Sequence, residues 1–131
     1  MRTLIIDGYN VIYAIPELEE LLGESLEAAR AGLVRLLTRA KDSRRDIERL
    51  YVVFDGRADD DDGESTVAPG ITAIYTQRKK DADQKIVEMV RDAARADAIT
   101  VVSNDNFLYN NVRAHGAYVE GVEEFCRRYK V

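Results

Sequence analysis

Apolar residues in this chain fall into short, dense runs separated by longer stretches with helical spacing. Thr3–Ile6 reads as a strand buried on both faces. Leu50–Phe54, Ile71–Thr76 and Ile99–Val102 repeat that pattern, and Ala117–Val119 is a brief last strand. Between the runs the period lengthens. Pro16 and Leu18–Leu22 predict a short helix closed by Gly23. Ser25 is placed to cap a long helix carrying Leu26, Ala29, Leu33, Leu36, Leu37 and Ala40 on one face, and the pattern fades in Lys41–Asp46. Asp81 opens a helix with Ile86, Val87, Met89 and Val90 apolar. Asn106–Arg113, ended by Gly116, and Val122–Tyr129 complete the set. Arg57–Gly70 has no apolar periodicity and holds Asp59–Asp62, Gly63, Pro69 and Gly70, so residues 57–70 are expected to be a mobile acidic loop. Buried strands alternating with helices predict one α/β domain over residues 1–131. Its sheet would be doubly wound and mainly parallel, flanked by helices on both faces.

The strands end in a repeated way. TLIIDGYNVI (Thr3–Ile12) carries an apolar run straight into Asp7; Leu50–Phe54 runs into Asp55; Ile99–Val102 leads through Ser103-Asn104 to Asp105. In a parallel sheet the carboxyl ends of the strands share one edge, and ligands bind outside it where the strand order reverses. Carboxylates gathered there repel one another unless a cation sits among them, and hard oxygen donors suit Mg²⁺ or Mn²⁺. A fourth acid, Asp83, comes from KKDADQKI (Lys79–Ile86), in the first turn of the helix opened by Asp81. Each residue also has a plain structural role open to it. Asp-Gly is a turn dipeptide, Asp81 with Gln84 forms a capping box, Asp83 suits a helix dipole, and Asn104 or Asp105 can cap the next helix.

Composition narrows the classes. The length of 131 residues fits one domain with a real core, and 46% hydrophobic with 33% charged residues describes a globular chain. A net charge of -5 argues against a basic coat for nucleic acid, but not against an enzyme that handles it. Cys126 is the only cysteine, so neither an intrachain disulfide nor a cysteine-based zinc site is expected. No signal-like or membrane-spanning run is seen, and a cytoplasmic location is expected. The one histidine, His115, precedes Gly116 at a helix end and reads as structural, which excludes two-histidine ribonuclease chemistry.

DGYN (Asp7–Asn10), VVFDG (Val52–Gly56), DADQKI (Asp81–Ile86) and VVSND (Val101–Asp105) stand in the order and spacing of a known family. The chain resembles an NYN domain of the PIN-like ribonuclease superfamily, and within it the YacP-like bacterial group, down to GAYVEGVEEF at Gly116–Phe125. The resemblance implies a PIN-like fold and metal-dependent endoribonuclease activity in RNA processing or decay. One or two Mg²⁺ or Mn²⁺ ions would be held by Asp7, Asp83 and Asp105, with Asp55 a ligand or an acceptor behind them. Hydrolysis by a cation-activated water would leave 5′-phosphate and 3′-hydroxyl ends. Asn10 would bond the scissile phosphate or orient Asp7, and Tyr9 would stack on a base or pack in the core. Arg78, Lys79 and Lys80, just before the Asp81 helix, are the candidate clamp for substrate phosphates. The chain departs from the group at Asp81, where threonine is usual, and at Tyr109, where glutamine is common.

RNA is the expected partner, presented either free or by a ribonucleoprotein, and cleavage of DNA stays open. A receiver domain would need an acid pair after the first strand and a late lysine, and a haloacid-dehalogenase-type phosphatase would need an acid at Tyr9. The alternative that keeps this fold is a non-catalytic module binding RNA or a ribonucleoprotein.

Overall fold

The structure, a computed structural model, describes residues 1–56, 63–77 and 79–131. Its elements are β1 (Arg2–Asp7), α1 (Gly8–Ala14), α2 (Pro16–Leu22), α3 (Leu26–Ser43), β2 (Ile47–Phe54), β3 (Gly63–Ala68), β4 (Ile71–Tyr75), α4 (Ala82–Asp92), β5 (Ile99–Val102), α5 (Asn106–Ala114), β6 (Tyr118–Glu120) and α6 (Val122–Tyr129). One six-stranded sheet has the order β3-β4-β2-β1-β5-β6. Every pairing is parallel except that of β3 with β4.

Side-chain alternation along the strands builds two cores. Leu4 and Ile6 of β1 and Leu50, Val52 and Phe54 of β2 face α1, α2, α3 and α6. Ile5, Val53, Ile74 and Val101 face α4 and α5. Strands covered on both sides must be apolar throughout, and the runs read from the sequence have that form. The chain builds outward from β1 to β2 and β4, then returns to lay β5 on the other side of β1. That reversal opens a crevice at the carboxyl ends of β1 and β5.

Two elements depart from the sequence expectation. Residues 63–68 are not loop but the antiparallel edge strand β3, turned back on β4 through Pro69-Gly70. Proline presets φ at the first turn position, and Gly70 takes φ +74° at the second. As an edge strand β3 is exposed along most of its length, so no buried face imprinted a pattern on it. Residues 57–62, the rest of the expected acidic loop, lie outside the described residues. The second departure is α1, which starts directly after Asp7. Its Tyr-Asn-Val-Ile-Tyr sequence, rich in aromatic and β-branched residues, has little helical preference of its own. Gly8 permits this tight entry. A Cβ there would lie 2.5 Å from Phe54 Cδ1 and 2.9 Å from the Val53 carbonyl oxygen. Ile15 is extended ahead of Pro16, which separates α1 from α2. Among the described residues no helix is long and apolar enough to cross a membrane.

Candidate functional site

The crevice is built around Asp7. It occupies the position before α1 where a capping side chain would stand, yet its carboxylate makes no capping bond. It is buried, with 6% of its surface exposed, and its Oδ2 accepts from Ser103 Oγ at 2.8 Å. The turn and cap roles that an Asp-Gly pair usually fills therefore do not account for it. Ser103 connects the site: its Oγ also accepts from the Asp105 amide at 3.0 Å and lies 3.3 Å from Asn10 Oδ1. Asn10 Oδ1 in turn accepts from the Asn104 amide at 2.8 Å. Asn10 thus ties α1 to the turn after β5, and through Ser103 it orients Asp7. Asn104 Oδ1 accepts from the Val122 amide at 2.9 Å, fixing the start of α6 to the same turn.

The remaining acids arrive on helix starts. Asp105 caps α5, its Oδ1 accepting from the Leu108 amide at 3.0 Å. Asp81 and Gln84 form the expected capping box on α4, at 2.8 Å and 3.0 Å. Asp55, at the exit of β2, accepts a short hydrogen bond from the Ala82 amide. Two aspartates thus fix the first turn of α4, and this turn carries Asp83, half-buried, toward the other acids. Thr76 Oγ1 accepts from the Gly56 amide at 2.8 Å and holds the ends of β2 and β4 together beside them.

The electrostatics are those of crowded acids. Asp7 is raised from 3.8 to about 7: burial is the main cause, Ser103 opposes it, and Asp83, Asp105 and Asp55 add to it. Asp83 is raised to about 6, again by burial first, then by Asp105, Asp81 and Asp55. Among the described residues, however, no three acid, imidazole or thiol groups already form a tight cluster fit for a metal. Asp55 and Asp105 each give an oxygen to a backbone amide, and the carboxylates repel one another. A divalent charge among them would turn that repulsion into attraction. The donors are all oxygens, and the two raised carboxylates are those a cation would relieve most, so the set fits Mg²⁺ or Mn²⁺ in chemistry.

The other expected site residues are placed as follows. Lys79 is exposed ahead of α4; Lys80 pairs with Glu88 at 2.7 Å; Arg78 lies outside the described residues. Tyr9 packs on Phe54, ring centroids 5.0 Å apart, with its hydroxyl held by Arg30. His115 stands exposed at the carboxyl end of α5. Ser103 was missed in the sequence. Its signal was faint: a small hydroxyl between a buried strand and a polar turn.

The model of the YacP-like NYN domain matches residues 4–131. The chain belongs to this family. It is 27% identical over 128 residues to the uncharacterised protein YacP of Bacillus subtilis strain 168, covering 97% of this chain and 74% of that one. Its fold matches crystal structures of Rae1 (YacP) from Bacillus subtilis. The W164L mutant superimposes with a TM-score of 0.79 at 27% identity, covering 99% of this chain and 76% of the other. A second Rae1 structure gives 0.76 at 25%, covering 99% and 74%. The YacP-like family has a PIN-like nuclease fold.

Proposed function

We propose that the protein is a metal-dependent endoribonuclease whose acids Asp7, Asp83 and Asp105 hold one or two Mg²⁺ or Mn²⁺ ions. The observation that carries this reading is Asp7: a buried carboxylate, raised to about 7, set at a helix start that it does not cap. Such a group costs stability and contributes none through capping, so a chemical use is the economical account of it. When bound, the cation would make a water more acidic and offset charge on the phosphate under attack. The chain's own residues then have distinct tasks. Ser103 and Asn10 orient Asp7. Asp55 and Asp81 fix the first turn of α4, which carries Asp83. The Asn10 amide nitrogen, which makes no hydrogen bond among the described residues, is available to a phosphate oxygen. Lys79 is placed to meet the strand's phosphates, whereas Lys80 would first have to leave Glu88.

The capping bonds of Asp55 and Asp105 favour a second reading, a non-catalytic module binding RNA or a ribonucleoprotein. It leaves Asp7 without a role. End-labelled single-stranded and hairpin RNAs, incubated with Mn²⁺, Mg²⁺ or a chelator, separate the two. The nuclease reading expects internal cuts that need metal, leave 5′-phosphate ends and disappear in Asp7→Asn and Asp105→Asn. RNA binding without cleavage under every metal condition would support the module instead.

A further inference from the structure

We infer that Arg30 of α3 and the groove beside it form a subsite for one unpaired nucleotide of the substrate strand, its phosphate on the guanidinium and its base on the groove's apolar floor. This deepens the nuclease reading above and rests on it. Three rings stand in a row at the crevice edge. Tyr9 and Phe54 have centroids 5.0 Å apart, and Phe54 and Tyr75 stack at 5.4 Å with 23° between their planes. Tyr9 comes shortly after Asp7 and Phe54 immediately precedes Asp55, so the row lies at the same carboxyl end of the sheet as these acids.

Arg30 lies over this row. Its guanidinium carbon is 5.7 Å from the Tyr9 centroid, 5.5 Å from that of Phe54 and 5.3 Å from that of Tyr75. Its Nε donates to the Tyr9 hydroxyl at 2.9 Å. The head group is therefore fixed in place, yet it makes no carboxylate ion pair among the described residues. Arg35 likewise forms no ion pair among the described residues and lines the same groove, with Val34, Val67 and Tyr75. The groove holds about 390 Å³. In a chain of net charge -5, two arginines left without acids beside a carboxylate-rich crevice form a local positive border. A fixed guanidinium over aromatic rings next to an open apolar surface suits single-stranded nucleic acid: the backbone takes the charge and the base takes the surface. A protein segment would need an acidic side chain at one exact place to meet the guanidinium, whereas every nucleotide of a strand carries its own anion.

The test uses the full chain carrying Asp105→Asn to block cleavage, a short fluorescein-labelled single-stranded RNA and a salt titration read by anisotropy. Arg30→Met, which keeps the cover over the rings, should weaken binding by about tenfold and reduce the salt slope by about one phosphate contact. Arg30→Lys should restore the slope but only part of the affinity. Val67→Glu, on the exposed edge strand, should weaken binding without disturbing the fold, and Arg127→Met on α6 should change nothing. Parent-like affinity and slope in Arg30→Met, with Val67→Glu also silent, would overturn the subsite. Cleavage by the chain with Asp105 intact is measured in parallel on the same RNA. If that chain cuts while the Arg30 variants bind normally, the subsite alone fails. If it neither cuts nor binds RNA, the nuclease reading fails and the subsite with it.

Discussion

At the scale of single residues, Asp7 sets stability against function. Its folded pKa, about 7, lies above the ordinary 3.8, so between those values the folded chain binds more protons than the unfolded one. Stability from this group is therefore full below about pH 4 and falls as pH rises through 7. The shift corresponds to an upper limit of about 4 kcal/mol. Asp7→Asn should abolish cleavage and yet raise the metal-free melting temperature by several degrees at pH 8, with little gain near pH 4. Calorimetry with chelator at the two pH values checks this; equal shifts at both would show that the carboxylate's ionisation is not the cause. Ser103→Ala removes the bond that lowers Asp7. The acidic limb of the pH–rate profile should then move to higher pH, with activity at pH 7 reduced about tenfold, an effect of the size seen for a lost charge-assisted bond. An unchanged limb would show that Ser103 only braces the turn.

At the scale of elements, the first turn of α4 is where architecture meets the site. Asp81 satisfies the Gln84 amide and Asp55 the Ala82 amide. Asp81→Ala should cost about 1 kcal/mol in urea denaturation, as a lost helix cap does. Asp55→Ala should cost a similar amount and also weaken Mn²⁺ binding several-fold by freeing the turn that bears Asp83. Loss of all Mn²⁺ binding in Asp55→Ala, with α4 intact by amide exchange, would instead identify Asp55 as a ligand. Gly8 is the matching constraint on α1. Gly8→Ala puts a methyl within 2.5 Å of Phe54 and 2.9 Å of a backbone oxygen. A destabilisation of about 1–3 kcal/mol is expected from such overpacking, and a variant as stable as the parent would mean that α1 can shift without loss.

At the scale of the whole molecule, the acids come together because the sheet reverses at β1. On the proposed nuclease reading, a site assembled from β1, α4 and the turn after β5 should be stabilised as a unit by a divalent cation. Mn²⁺ at a concentration 100 times its dissociation constant should add about 2.7 kcal/mol. A chelator should remove that gain, and Asp7→Asn should not show it; a thermal shift identical in parent and variant would place the binding elsewhere.

Much of the fold can be read along the chain. Continuous apolar runs of Thr3–Ile6, Leu50–Phe54 and Ile99–Val102 demanded strands covered on both faces, and helical spacing supplied the covers, so the parallel α/β form was legible. So was the arrival of Asp7, Asp55 and Asp105 at strand ends, because chain order alone puts them there. The Asp81 cap was legible as well, since a capping box is a local pattern. The remaining features depend on contacts between distant segments. The edge strand β3 has no buried face to leave a period in its residues, and α1 is helical because the core holds it, not by its own preference. The bond from the Ala82 amide to Asp55 forms only once α4 is docked beside the end of β2. The bonds of Ser103, and the seat of Arg30 over rings from α1, β2 and β4, exist only once β1, β2, β4, β5, α1 and α3 are packed together. Local periodicity records burial; it does not record which buried or half-buried partners meet.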